Sequence, residues 1–151
     1  PNQEALRDFY GLGAKTANPL PVSPANVADA LEASVGAWMA LNEQISLGRG
    51  PEFQIGHGVL MSDMKPQTLP LPEALGTLCV GWAKVRAHVE EVFFGDTRGI
   101  AATLNALDGP AFNPFKLTET TFADDLRFKL EGPTNFDEAN IYPALRAFAR
   151  G

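Results

Sequence analysis

From Val27 to Ile45 the apolar positions Val27, Leu31, Val35, Trp38, Leu41 and Ile45 recur at spacings of four, four, three, three and four. That period draws one stripe along an amphipathic helix of roughly six turns. Ser23 as N-cap with Pro24 at the first helical position predicts its start. Gly48 and Gly50 in "LGRGPE" predict its end. A second stripe of Leu75, Leu78, Cys79, Trp82, Val85, Val89, Val92 and Phe93 predicts another long helix, opened by Pro72 and stopped by Gly95. Asp96 then caps a short helix carrying Ile100, Leu104 and Leu107, and "NQEALRDFY" predicts a short leading helix with Leu6, Phe9 and Tyr10 on one side. Long helices with a single stripe must bury it against a neighbour. Residues 1–107 therefore read as a small helical bundle.

The period changes beyond residue 107. In "LRFKLE" Leu126, Phe128 and Leu130 alternate with Arg127, Lys129 and Glu131, a strand pattern, and "FKLTETTF" upstream is its candidate partner across the weak turn signal "ADD". "GPTN" turns the chain into a last amphipathic segment with Ile141, Leu145 and Phe148. The predicted fold is mainly α: a helical bundle over 1–107 and a C-terminal extension over 108–151, made of a β-hairpin and a terminal helix. No internal repeat or low-complexity tract interrupts it.

Twelve basic residues stand against 18 acidic ones, for a formal net charge of −6. That balance argues against broad binding to nucleic acid, which depends on clustered Lys and Arg. Cys79 is the only cysteine, so an internal disulfide and a paired-cysteine zinc site are both excluded, and a reducing, cytoplasmic setting is expected. No apolar run approaches the roughly 20 residues of a bilayer span, so no membrane partner is expected. The chain opens at Pro1 without an initiator Met, which predicts a fragment of a longer protein or a processed one.

Several groups invite a chemical reading. "GLGAKT" (Gly11 to Thr16) suggests a phosphate loop, but Ala14 stands where a Walker A needs glycine before the lysine, and the segment follows a helix rather than a strand. A flexible interhelical loop is the better account. Cys79 and His88 are nine residues apart on one helix, off the i, i+4 spacing of metal ligands, and no metal site is expected. Glu90 and Glu91 point in different directions on a helix, and Asp124-Asp125 reads as turn chemistry. Ser23, Ser34, Ser46 and Ser62 lack an elbow motif or a base. Residue chemistry alone assembles no catalytic site.

Two segments taken in order are more informative. "LNEQISLGRGPEFQIGHGVLM" and "EEVFFGDTRGIAATLNA" resemble the C-terminal helical part of McrB-type AAA+ proteins, the motor subunits of methylcytosine-dependent restriction systems and their relatives. The family pattern is Leu-Asn-x-x-Ile, then Leu-Gly-Arg, then Ile-Gly-His-Ser with aromatics, and later an aromatic-Gly-Asp turn. Here the matching positions are Leu41-Asn42, Ile45, Leu47-Gly48-Arg49, Ile55-Gly56-His57 and Phe94-Gly95-Asp96. The likeness covers about residues 38–107. Gly58 replaces the family's serine, and Val59-Leu60 replace the aromatic pair.

The resemblance implies an AAA+ lid. It would close over ATP or GTP with magnesium, bound by an α/β subdomain of the same parent chain. The parent would form a homo-hexameric ring with a partner nuclease subunit in prokaryotic DNA restriction or defence. The lid would be inert alone and would not itself touch nucleic acid. Gly56 and His57 would form the loop nearest the nucleotide or the subdomain junction, and Arg49 a phosphate-sensing cation. Arg49 has a competing role, because a basic residue at a helix C-terminus is favourable without any ligand. Two other readings stay open: a stand-alone acidic helical protein-interaction module without catalytic activity, and a small hydrolase using His57.

Overall fold

The computed structural model describes residues 2–15 and 19–150. Among them are five α-helices, α1 (Gln3–Phe9), α2 (Val27–Gly48), α3 (Leu71–Val92), α4 (Thr97–Thr103) and α5 (Ile141–Phe148), and two strands, β1 (Lys116–Phe122) and β2 (Asp125–Glu131). Short 3-10 turns at Pro51–Phe53, His57–Leu60 and Pro66–Thr68 carry the chain from α2 to α3. The architecture is mainly α with one two-stranded antiparallel sheet. Among the described residues no helix is long and apolar enough to cross a membrane.

The first long helix starts later than Ser23-Pro24. Asn26 is its N-cap, accepting from the Asp29 N–H at 3.0 Å, while the Asp29 carboxylate accepts from the Ala25 N–H at 2.8 Å. This reciprocal pair satisfies two amides that a Ser23 cap would leave open. The buried surface of α2 is also wider than one stripe. Beyond Leu31, Val35, Trp38, Leu41 and Ile45, residues Ala30, Ala33, Ser34 and Ala37 are buried, and α5 packs along the helix. Small side chains permit that close approach, and a period count that tracks only large apolar residues passes over them.

α3 buries the expected series Leu75, Leu78, Trp82, Val85 and Val89, continued by Phe93, with Cys79 and Val92 partly buried beside it. Asp96 caps α4 through the Gly99 N–H at 2.9 Å. Leu107 lies past the end of α4 and is 39% exposed, so it does not continue the stripe begun by Ile100 and Leu104. Ile141, Leu145 and Phe148 of α5 are buried in the same core as Leu31, Trp38 and Trp82. Phe148 contacts Trp82, Phe115 and Phe136, so aromatic residues from both sides of residue 107 share one cluster.

The strands pair from Lys116 opposite Glu131 to Phe122 opposite Asp125. Ala123 (φ 51°) and Asp124 (φ 66°) make the connection, the pair of positive φ values that a tight type I′ hairpin requires. Only the base of the ribbon packs on the body. Phe128 and Leu130 are half-buried, with the Arg98 guanidinium 5.1 Å from the Phe128 ring centre, whereas Phe122 and Leu126 near the turn are 68% and 55% exposed.

Two buried polar knots hold α1 on the bundle. Trp82 Nε1 donates to Ser34 Oγ at 2.9 Å, and the Tyr10 hydroxyl lies 3.0 Å from the same oxygen, joining α1, α2 and α3. Arg7, nearly buried, donates twice to the Glu32 carboxylate at 2.8 and 2.7 Å and also to the Gly13 carbonyl. Glu32 holds the Arg7 guanidinium above its usual range. The Gly13 carbonyl of "GLGAKT" thus faces a paired guanidinium; Thr16 of that motif lies outside the described residues.

Candidate functional site: the clasp after the first long helix

Asn42 is buried on α2, one position beyond Leu41 of the apolar series. Its Nδ2 donates to the Ile55 carbonyl at 2.9 Å, and its Oδ1 accepts from the Ile55 N–H at 2.6 Å. Trp38 Nε1 donates to the same carbonyl at 2.9 Å, and Gln54 Nε2 donates to the Asn42 carbonyl at 3.1 Å. A polar side chain in this interior is tolerated because each of its groups replaces a hydrogen bond to water. The consequence is positional: the chain leaving α2 folds back, and Gly56 emerges exposed just beyond the fixed Ile55.

His57 opens the turn that follows. Its ring is half-buried beside the start of α1, with the Asn2 N–H donating to Nδ1 at 3.4 Å. That leaves Nε2 as the proton-bearing nitrogen of the neutral ring. Leu60 closes the same turn against α3 at Gly81. Gly58 is exposed, and a Cβ built there meets nothing within 4 Å, so the serine of the resembled pattern would fit without displacement. An open groove of about 470 Å³ borders the clasp, lined by Gln3, Trp38, Asn42, Glu43, Leu47 and Gln54.

Arg49 belongs to a second junction. It donates from Nε to the Val92 carbonyl at 3.3 Å and from Nη1 to the Gly48 carbonyl at 3.1 Å, and its Nη2 meets Asp96 Oδ2 at 3.2 Å. The guanidinium also lies 4.8 Å from the centre of the buried Phe93 ring. It therefore serves the C-terminal carbonyls of two helices while pairing with the carboxylate that caps α4. Close approach here depends on glycine: a Cβ at Gly48 would stand 2.9 Å from the Phe93 ring, and one at Gly99 2.6 Å. The cation is 37% exposed, and a cavity of about 290 Å³ lies beside it. Among the described residues no hydrogen bond joins Arg49 to His57.

The remaining candidates are structural or dispersed. His88 Nε2 is 2.8 Å from the Phe53 carbonyl, so this histidine secures the 3-10 turn to α3. Cys79 is half-buried, and burial, with Asp137 and Glu138, pushes its thiol up to about 11. Such a thiol is a poor nucleophile and a poor ligand near neutrality. Glu90 pairs with Arg86 at 2.9 Å on the surface, and Asp125 with Arg127 at 3.7 Å in the hairpin. Ser34 is consumed by Trp82 and Tyr10. Among the described residues no group of three His, Cys, Asp or Glu side chains could hold a metal ion.

The residues that organise the site were only partly legible. Asn42 stood out as one position of the Leu-Asn pattern, but its grip on Ile55 spans 13 positions and carries no local signature. An asparagine at a helix-interior position next to the apolar stripe was the available signal. Arg7 and Glu32, 25 positions apart, left none. Compared with protein-family models, with curated proteins and with solved structures, the chain matches none.

Proposed function

We propose that this chain is the helical lid of an AAA+ nucleoside triphosphatase of the McrB type, closing over ATP or GTP held by an α/β subdomain of the same parent. The observation that supports this reading is that each pair of resembling segments meets physically. The Leu-Asn pair is clasped to Ile-Gly-His by Asn42 and Ile55, and Leu-Gly-Arg is joined to the Phe-Gly-Asp turn by Arg49 and Asp96. Packing alone does not require Gly56 to stand exposed, with His57 half-buried beside it, directly beyond the Asn42–Ile55 clasp.

In this reading Gly56 and His57 face the nucleotide-binding subdomain, since His57 lies against Asn2 at the start of α1, the side on which that subdomain would join. Arg49 clamps α2 to the α3–α4 turn and reaches phosphate only by leaving Asp96. Lid closure then excludes water and fixes charge around the phosphates, where transition-state charge develops. The parent acts as a homo-hexameric ring with a nuclease partner in DNA restriction or defence.

The test is the coding sequence upstream of Pro1. Walker A and Walker B motifs are expected within about 200–300 residues, the length of one large domain. A reading frame that opens close to Pro1 would remove the proposal and leave a stand-alone interaction module, a reading that the exposed Phe122 and Leu126 of the hairpin favour.

A further inference from the structure

The chain is acidic overall, and four of its arginines, Arg7, Arg49, Arg86 and Arg127, pair with carboxylates. Arg98, which stands over the Phe128 ring, has no such pair, nor do Arg146 and Arg150: among the described residues no carboxylate oxygen lies within 4.0 Å of either of these last two. Both line one cavity of about 350 Å³ with Asn105, Pro110, Phe112 and Ala147. Arg146 lies in the last turn of α5, its guanidinium 4.0 Å from the centre of the Phe112 ring, and its buried Nε has no hydrogen-bond partner. Arg150 follows the helix end in a left-handed conformation (φ 58°) and spends one Nη2 donor on the Ala102 carbonyl at 2.7 Å.

A helix C-terminus favours cations nearby, which accounts for basic residues in this part of the chain. It does not account for Arg146 and Arg150 both lining one cavity. Like charges brought together repel, and among the described residues neither guanidinium has a paired carboxylate to offset this. Glu43 on α2 is near enough to act on Arg150 through space but forms no ion pair with it. Asn105, held at φ 53° with its Nδ2 on the Ala147 carbonyl, lines the cavity, and Pro110 and Phe112 add apolar surface to it. Two arginines lining one cavity, one of them held over the Phe112 ring, suit a planar or tetrahedral oxyanion, which offers two acceptors to a guanidinium fork.

We propose that this cavity is an oxyanion-binding site, taking a phosphate or carboxylate group between Arg146 and Arg150 against Phe112 and Pro110. The site uses none of Arg49, Gly56 or His57 and does not depend on the lid reading. The 151-residue chain is titrated with inorganic phosphate and, separately, with acetate, at constant ionic strength in sodium chloride, while the arginine Nε–Hε NMR signals are followed. A saturable shift of the Arg146 signal is expected, with Arg49 and Arg86 unmoved. Arg150→Gln, at an exposed position, should leave the spectrum folded and weaken binding about tenfold or more, the loss of one charge-assisted hydrogen bond. Response to phosphate alone identifies a phosphate ester as the natural ligand class, and response to acetate a carboxylate. No saturable shift with either anion, or the same affinity in Arg150→Gln, overturns the proposal.

Discussion

The amide of Asn42 holds both backbone groups of Ile55, donating to the carbonyl at 2.9 Å and accepting from the N–H at 2.6 Å. One side chain thereby closes the loop between α2 and the Gly56-His57 turn. Asn42→Ala leaves the buried Ile55 N–H without a partner, although Trp38 keeps the carbonyl. The expected loss of stability is about 2–3 kcal/mol by denaturant unfolding, the cost of an unsatisfied buried group and a small cavity. Gln54→Ala, whose amide only adds a bond to the Asn42 carbonyl, should cost under about 1 kcal/mol. Equal losses in the two variants would deny the clasp its central role.

Asp96 does two jobs with one carboxylate, capping α4 at Gly99 and pairing with Arg49. Asparagine is as good an N-cap as aspartate, and a partly exposed ion pair is worth little. Asp96→Asn should therefore cost under about 0.5 kcal/mol, and Asp96→Ala about 1–2 kcal/mol. Melting curves in which Asp96→Asn loses nearly as much as Asp96→Ala would show that the Arg49 pair outweighs the cap.

His57 makes one long contact to the backbone and lies half exposed. His57→Ala should leave the helical content and melting temperature of the isolated chain unchanged and, under the proposed lid function, lower NTP turnover of the parent. Gly58→Ser, entering open space, should also leave the fold intact. Unchanged turnover in His57→Ala would sink the junction role. A collapse of the fold would make the residue structural.

Burial raises the pKa of two weak acids, Tyr10 and Cys79. Burial pushes the Tyr10 hydroxyl from 10.0 up to about 12, against the opposing effect of its Ser34 contact, and pushes the Cys79 thiol from 9.0 up to about 11. Both folded-state values are raised, so the native state holds these protons more tightly than the unfolded chain. That stabilisation is whole below about pH 9 and is lost as pH rises through about 11 and 12. Denaturant midpoints should fall across this window, with a shallower decline in Tyr10→Phe above pH 10. At pH 8, alkylation of Cys79 should run on the order of a hundredfold slower than that of an unfolded-chain cysteine. Alkylation at the unfolded-chain rate would contradict its burial.

The hairpin turn places Ala123 and Asp124 at positive φ, a conformation that costs an ordinary L-residue about 1 kcal/mol or more. Replacing the pair by Asn-Gly, the preferred type I′ residues, should raise the hydrogen-exchange protection of Lys116–Phe122 and Asp125–Glu131. Protection that stays the same would mean that opening of the ribbon is limited where it packs on the body, as at Phe128 against Arg98.

Much of this molecule is written locally. Helix length, the buried face of α3, the Asp96 cap and the alternation of β2 follow from spacings along the chain, because each depends on neighbours within a turn or a strand. The start of α2 at Asn26 rather than Ser23 shows where local reading weakens: two caps compete, and the one that also binds backwards through Asp29 prevails. The grip of Asn42 on Ile55, the bridge from Arg49 to Asp96, the Arg7–Glu32 pair and the cavity shared by Arg146 and Arg150 were decided only in three dimensions. Their partners are set by how helices pack, and packing joins side chains whose separation along the chain has no period. Sequence alone determined which faces are apolar; tertiary structure decided which polar groups those faces bring together.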